Sequence, residues 1–300
     1  MQLIIFLTIF SCLLITGCGS THEKVLGSES DWENDQGELP DQVGSADRVN
    51  EKAPSANQYI EDYIEVIDKT EYEMPTSQWF MHDDEGQFGY ELPSGTLEAS
   101  AQFVIKLFVQ NQNGLKMDRD VRIQLTARDQ KFEKSELILD DIIHVGMVTD
   151  EEEIYSNQLP DKNNVIYVIS MEVLDQQNHV EDTMVSMIYV PSPEINAKLE
   201  TDKGIFQSND QVTITLENYG PTIVSIGEFF VIEKKVNDSW KEVPLELRFN
   251  DIGILINSND TYDQTIDINQ LSSGEYRVIK TIYADGIDLS TTLAAEFSVE

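Results

Sequence analysis

Positive charge is scarce in this chain: 20 Lys and Arg stand against 55 Asp and Glu in 300 residues, a formal net charge of −35. A field of that sign repels nucleic acid, anionic headgroups and phosphate-rich polymers, which excludes nucleic acid as a partner and favours cations or basic surfaces. Solvated carboxylates also keep a chain dispersed where salt screens strongly, as a salt-tolerant setting would require. Cysteine is scarcer still. The two present, Cys12 and Cys18, leave the rest of the chain without a thiol. A disulfide framework, thiol catalysis and cysteine-ligated zinc are thereby excluded there, and stability must come from burial. The four histidines, His22, His82, His144 and His179, are scattered singly. GxSxG, Walker, HExxH and Rossmann patterns are all missing. Beyond residue 17 no apolar run nears the roughly 20 residues that cross a bilayer.

What is present begins with MQLIIFLTIFSCLLITGCGS. Leu3 to Ile15 is almost wholly apolar, long enough for the core of an export signal and too short for a span. It closes on Ile15-Thr16-Gly17-Cys18, an aliphatic residue and two small ones before a cysteine, which resembles the lipobox of bacterial lipoproteins. The resemblance implies a signal peptide over residues 1–17 and a lipid on Cys18, the mature N-terminus. It also implies residence on the outer face of the cytoplasmic membrane of a Gram-positive cell. Two acyl chains hold stably where one binds only marginally. Cys12 follows Phe10 and Ser11, lacks the lipobox pattern, and is removed with the signal in this reading.

Residues 18–56 are rich in Gly, Ser, Asn, Gln, Asp and Glu, as in GSESDWENDQGELPDQVGSADRVNEKAPS. Such a stretch cannot bury enough apolar surface to offset its ordering entropy, so a disordered acidic tether is expected, with a reach on the order of 35 Å. Asp31, Glu33 and Asp35 alternate like the start of a calcium loop. The glycine, Gly37, comes one place late, and Gln42 stands where the bidentate acid belongs. From Ser55 the apolar spacing of Tyr59, Ile60, Tyr63, Ile64 and Ile67 predicts a helix over Ala56 to about Ile64 and a strand beyond it. YIEVIDKTEYEMP also scans as extended throughout.

Farther along the period becomes two. Phe103, Ile105, Leu107 and Val109 alternate up to the turn dipeptide Asn113-Gly114, and Val121, Ile123 and Leu125 follow, the pattern of a hairpin. Each half of the chain ends in a long strand, a polar turn and a final strand, IYV at 188–190 and FSV at 297–299. The expected fold is all-β: two immunoglobulin-like antiparallel β-sandwich domains, 57–191 and 194–300, joined at PSPE.

VTITLENYG, IGEFFVIEKKVNDSWKEVP, FNDIGILI, LSSGEYRVIKTI and AAEFSV together resemble the bacterial immunoglobulin-like domain found in exported Gram-positive proteins, over residues 196–300. Its most specific parts are Asn218 and Gly220, the strand leading into Trp240, and Gly274-Glu275-Tyr276-Arg277. Tyr276, two residues past Gly274, is placed to return its hydroxyl to the preceding turn. Asn237-Asp238 should reverse the chain, and Trp240 should cover a sandwich edge. Lys234, Lys235, Trp240 and Arg277 can be read as a basic and aromatic platform or as solvated lysines beside a core-edge tryptophan. The resemblance implies a fold and a surface placement rather than an activity.

His82, Asp83, Asp84 and Glu85 form the densest group of ligand-type residues, but neighbours on an extended chain point to opposite faces. TDEEEIY and LDDIIH likewise read as solvated charge. No catalytic residue, metal ligand or cofactor is assigned. The expected function is non-enzymatic: a lipid-anchored surface protein that presents its modules for contact with another protein. The rivals are a lipoprotein binding divalent metal or wall glycan, and an enzyme on an unrecognised β scaffold. Cys18→Ser is expected to move the protein from membrane to medium and to remove the lipid mass from its N-terminal peptide. Fractionation with mass spectrometry checks both.

Overall fold

Val, Ile, Tyr and Phe at alternate positions build strands through more than half of the chain that the computed structural model describes: residues 29, 32, 63–82, 85–109, 113–129 and 131–300. The signal segment, Cys18, His22 and most of the tether, including Asp31, Glu33 and Asp35, lie outside the described residues. Among the described residues no helix is long and apolar enough to cross a membrane. One short helix, α1 (Tyr63–Asp68), occupies the end of the predicted helix and replaces the strand expected after Ile64. Residues 56–62 lie outside the description. Val66 and Ile67 are both buried, in one cluster with Ile166 and Val168. Lys69 and Thr70 return their amides to the carbonyls of Val66 and Ile67 at 3.1 and 2.9 Å, ending the helix.

The N-terminal unit is a sandwich of β1 (Gly89–Glu91), β2 (Gly95–Thr96), β3 (Gln102–Phe108), β4 (Leu115–Arg128), β5 (Lys134–Val148), β6 (Glu151–Gln158), β7 (Val165–Leu174) and β8 (Val180–Val190). Its sheets run β1-β3-β6 and β2-β8-β7-β4-β5. The expected hairpin of β3 with β4 does not form: β3 pairs with β1 and β6, whereas β4 pairs with β5 and β7. Gly114, at φ 72°, turns the chain from one sheet to the other. Phe103, Ile105 and Leu107 share one core with Val121, Ile123 and Leu125. A period of two marks a buried face equally well for strands side by side and strands face to face.

All ten residues of β7 are buried. Tyr167, Ile169, Met171 and Val173 belong to the core between the sheets, while Ile166 and Val168 join Val66, Ile67, Tyr72, Phe132 and Tyr189 in a second cluster. The two outer edges are acidic: Glu136, Asp140, Asp141 and His144 on β5, and Glu151, Glu152 and Glu153 on β6, are exposed. LDDIIH and TDEEEIY are therefore edge strands, where charge blocks pairing with another sheet.

Loop 76–80 closes one end of this sandwich, burying Trp79 and Phe80. Asp182, itself buried, fixes the loop: Oδ1 accepts the amides of Thr76 and Thr183 at 2.9 and 3.0 Å, and Oδ2 those of Trp79 and Phe80 at 2.8 and 2.9 Å. Glu181 beside it accepts Trp79 Nε1 at 2.9 Å and Arg119 Nε at 2.8 Å.

The C-terminal unit comprises β9 (Ala197–Thr201), β10 (Ile205–Phe206), β11 (Gln211–Asn218), β12 (Val224–Ile226), β13 (Val231–Val236), β14 (Ser239–Glu242), β15 (Ile254–Ile256), β16 (Thr261–Asp267), β17 (Gly274–Ala284) and β18 (Ser290–Val299). Sheet β16-β11-β9 faces sheet β10-β18-β17-β12-β15, on which β13 pairs with β17 and β14 with β13. In both units a two-residue strand, β2 or β10, lies parallel to the last strand.

The units meet in bonded, apolar contact. Tyr189 Oη donates to Pro221 O at 2.8 Å, and Ile223 enters the cluster on the outer face of β7, while Thr222 Oγ1 holds the joint itself through Ser192 O and Glu194 O at 3.1 and 2.8 Å. Burial pushes the Tyr189 phenol up to about 12, so its donor proton is retained. Asn218 Nδ2 donates to Thr222 O and Ile256 O at 2.8 and 3.0 Å, and its Oδ1 accepts Gly220 N at 3.0 Å. Gly286, at φ 67°, lies so near Thr96 that a Cβ would come 2.2 Å from its carbonyl oxygen.

Asp182→Asn is expected to leave up to two buried amides facing an amide nitrogen that cannot accept, each at about 1–3 kcal/mol. Urea unfolding followed by the emission of Trp79 should show an early transition relative to the wild type, and unchanged unfolding would refute the role given to the carboxylate.

Candidate functional site

The residues singled out around Trp240 do come together, and pleating sorts them by face. β13 runs beside β17 with Glu233 opposite Arg277 and Lys234 opposite Tyr276, and Lys235 lies opposite Trp240 on β14. Asn237 and Asp238 both have positive φ, at 50° and 64°, as a two-residue hairpin turn demands. The Tyr276 hydroxyl donates to Ser272 O at 2.6 Å, the expected corner. On the outer face the Arg277 guanidinium lies 4.5 Å from the Trp240 ring centre and donates to Glu233 at 2.5 Å, both charges being buried. Lys235 bonds Glu275 at 3.0 Å.

Solvated lysine describes Lys235 but not Lys234, which turns inward and is buried. Lys234 Nζ donates to Glu29 Oε1 at 2.5 Å and Ser272 Oγ at 2.7 Å, over the Tyr276 ring. Burial acts to lower its pKa. The Glu29 carboxylate and Tyr276 outweigh that, leaving the pKa above the ordinary lysine value. Each cation of this platform thus has a carboxylate of the same chain beside it, which leaves no bare positive field for an anionic ligand.

A second inward lysine, Lys280, is only 2% exposed. Its Nζ donates to the carbonyls of Gly227 and Phe229 at 2.8 and 3.1 Å and to Gln264 Oε1 at 2.8 Å. Gln264 in turn donates to Glu228 O at 2.8 Å. Burial pushes the ammonium down to about 8, with Glu228 partly opposing. All three carbonyls of segment 227–229 are therefore held from beneath.

That segment carries the feature the sequence reading missed. Phe229 is 63% exposed while Phe230 is buried. Phe249 lies 5.3 Å from the Phe229 ring and 5.0 Å from that of Phe230. Glu228 accepts Asn250 N at 3.1 Å, tying segment 227–229 to the chain around Phe249 and Ile252. In the last three strands of the sheet Leu255, Ser225 and Tyr283 form one cross-strand row, with Leu255 51% and Tyr283 55% exposed. Leu247 and Ile252 are exposed in the adjoining segment. The signal was present in the doublet EFF and the run ILI. Adjacent apolar residues on an extended chain cannot share a face, so one of each set meets solvent unless the outer face is covered, as it is on β7.

The acidic constellations do not converge. His82 and Glu85 exchange backbone bonds at 2.9 Å in a tight turn, while Asp83 and Asp84 lie outside the described residues. Asp140 pairs with Arg122 through two bonds of 2.7 Å, and His144 and His179 meet Asp120 and Asp175 at 2.9 and 3.1 Å. Among the described residues no three His, Cys, Asp or Glu side chains are placed to hold a metal ion.

Residues 193–298 match the family model of a bacterial Ig-like domain. The all-β architecture with antiparallel sheets and an Ig-like C-terminal unit is therefore established. No curated protein matches the chain. Among solved structures it is similar to an adhesin, InvE, of Yersinia pseudotuberculosis, at 14% identity and a TM-score of 0.31, covering 71% of this chain and 60% of that one. A transglutaminase of red sea bream matches at 8% identity and 0.30, covering 71% and 31%. A chaperone-tip adhesin complex of CFA/I fimbriae matches at 10% and 0.31, covering 71% and 99%. The chain thus spans about a third of the transglutaminase and three fifths of InvE.

Lys280 gives this unit a defined pH response. Below about pH 8 folded and unfolded states both carry the proton, and the folded state bears the full burial penalty. Between about pH 8 and the ordinary lysine value of 10.5 the unfolded state binds more protons, so stability rises with pH. The stability difference between wild type and Lys280→Met should shift toward wild type by about 2 kcal/mol from about pH 7.5 to about pH 10. Denaturation at both pH values measures it, and a constant difference would sink the assignment.

Proposed function

We propose that the chain is a non-enzymatic lipoprotein, anchored through Cys18 on the outer face of a Gram-positive cytoplasmic membrane, whose Ig-like modules contact another protein. The lipobox-like ITGC and the apolar segment before it support the anchor. The carrying observation for protein contact is the exposed apolar set Phe229, Ile252, Leu255 and Tyr283 around the end of a sheet in a chain otherwise crowded with carboxylates. Contiguous exposed apolar residues rimmed by charge mark contact surfaces, and aromatic residues dominate the energy of such contacts. Lys280 and Asn250 hold the Phe229 segment in place, which lowers the ordering cost of binding.

A photoreactive residue at position 229 or 283, in the full chain on intact cells, is expected to capture a discrete surface protein. The same probe at the acidic edge position Glu152 is not. Leu255→Glu with Tyr283→Glu should weaken capture at least tenfold, about 1.4 kcal/mol. Equal capture from both places would overturn the protein-contact reading. A saturable response to calcium, zinc or wall glycan that Leu255→Glu leaves intact would favour the ligand-binding alternative.

A further inference from the structure

The two described residues of the acidic tether both touch the C-terminal unit, each partly exposed. Glu29 meets Lys234 at 2.5 Å, and the Lys234 side chain is 7% exposed. Trp32 is half-buried and packs against the C-terminal core. These contacts differ in kind, and only three positions separate them. The receiving surface is built for an acid. Lys234 is threaded between Gly274, where a Cβ would stand 2.5 Å from its Cε, and the ring of Tyr276, whose hydroxyl is fixed to Ser272. Without Glu29 the ammonium would keep Ser272 Oγ and a ring face but lose the carboxylate at its side, an expensive state for a buried charge. In a chain with 55 acids, a buried cation facing the tether selects that tether's own composition.

We propose that the C-terminal sandwich carries a docking site for an acidic Glu-x-x-Trp segment, and that its residents are Glu29 and Trp32 of the same chain, which shorten the leash between Cys18 and the sheets when docked. The leash half rests on the lipid anchor proposed above; the docking half does not. Eleven residue steps separate Cys18 from Glu29 and forty-five separate it from Tyr63. At full extension these reach about 40 Å and about 160 Å respectively. Docking therefore holds the C-terminal unit within about 40 Å of the anchor. Undocking transfers the limit to the longer segment. The Phe229 surface lies on the tethered unit, so the same contact sets how far from the bilayer that surface can be presented.

Zero-length carbodiimide coupling tests the docking in the full chain carrying Cys18→Ser, with labelled and unlabelled chains mixed in equal amounts. The expected product joins Glu29 to Lys234 within one isotope, and Trp32→Ala lowers its yield at least fivefold. A free peptide of residues 27–34 in excess lowers it as well. Absence of the product, or a yield unchanged in Trp32→Ala, overturns the site. A product joining the two isotopes equally overturns the same-chain resident. For the leash, the lipidated protein is returned to vesicles containing a bilayer dye, with a fluorophore at Glu300→Cys. Trp32→Ala should reduce energy transfer. Unchanged transfer beside a successful coupling overturns the leash and its anchor while the docking site stands.

Discussion

Strand β7 carries side chains that shun water on both faces, so the five-stranded sheet needs a cover on each side. Sheet β1-β3-β6 supplies one cover. The other is assembled from pieces distant in sequence: α1, Tyr72, Phe132 and, from the C-terminal unit, Ile223. Docking of the second unit on the first is thus part of completing the first unit's hydrophobic layer. Tyr189 sets the register of that docking through its bond to Pro221, Thr222 holds the joint through Ser192 and Glu194, and Asn218 holds the loop that carries Pro221 and Thr222.

The shortage of cations shapes the polar interior in a related way. Arg277 lies against Glu233, Arg128 against Glu71, Arg119 against Glu181 and Lys234 against Glu29. Lys280 differs: its direct partners are carbonyls and an amide, and its pKa falls accordingly. Asp182 mirrors it, a buried carboxylate served by four backbone amides. Each of these last two groups immobilises a loop, one carrying Phe229 and the other burying Trp79 and Phe80. The apolar surface at the β12–β15 end of the sheet is consequently presented on a stiff support.

Local features were legible in the sequence wherever neighbouring residues decide the outcome. Asn237-Asp238 announced its turn, Gly274 and Tyr276 their corner, and the alternation of Phe103, Ile105 and Leu107 a buried face. The partner of that face was not legible, because side-by-side and face-to-face strands share one pattern, so β3 was paired with β4 rather than placed across from it. Contacts between remote positions stayed hidden for the same reason: Asp182 reaches back 106 residues to Thr76, and Lys234 reaches back 205 to Glu29. The helix continues past Ile64, where the sequence predicts a strand, because the sheet that covers it is built from residues far downstream. The Phe229 surface lay between these extremes, visible in EFF and ILI once the rule of opposite faces is applied to residues that a core-seeking reading takes as all interior.

The acidic borders of β5 and β6 have one more consequence. Carboxylates along these long outer strands bring like charges together wherever a second copy would zip onto them. Leu137, Ile142 and Met147 stand exposed on the same strand as Glu136 and Asp141, so without those charges this border would be an unguarded apolar ribbon. The same surplus of negative charge that marks the sequence thus guards its outer strands against stacking into fibres.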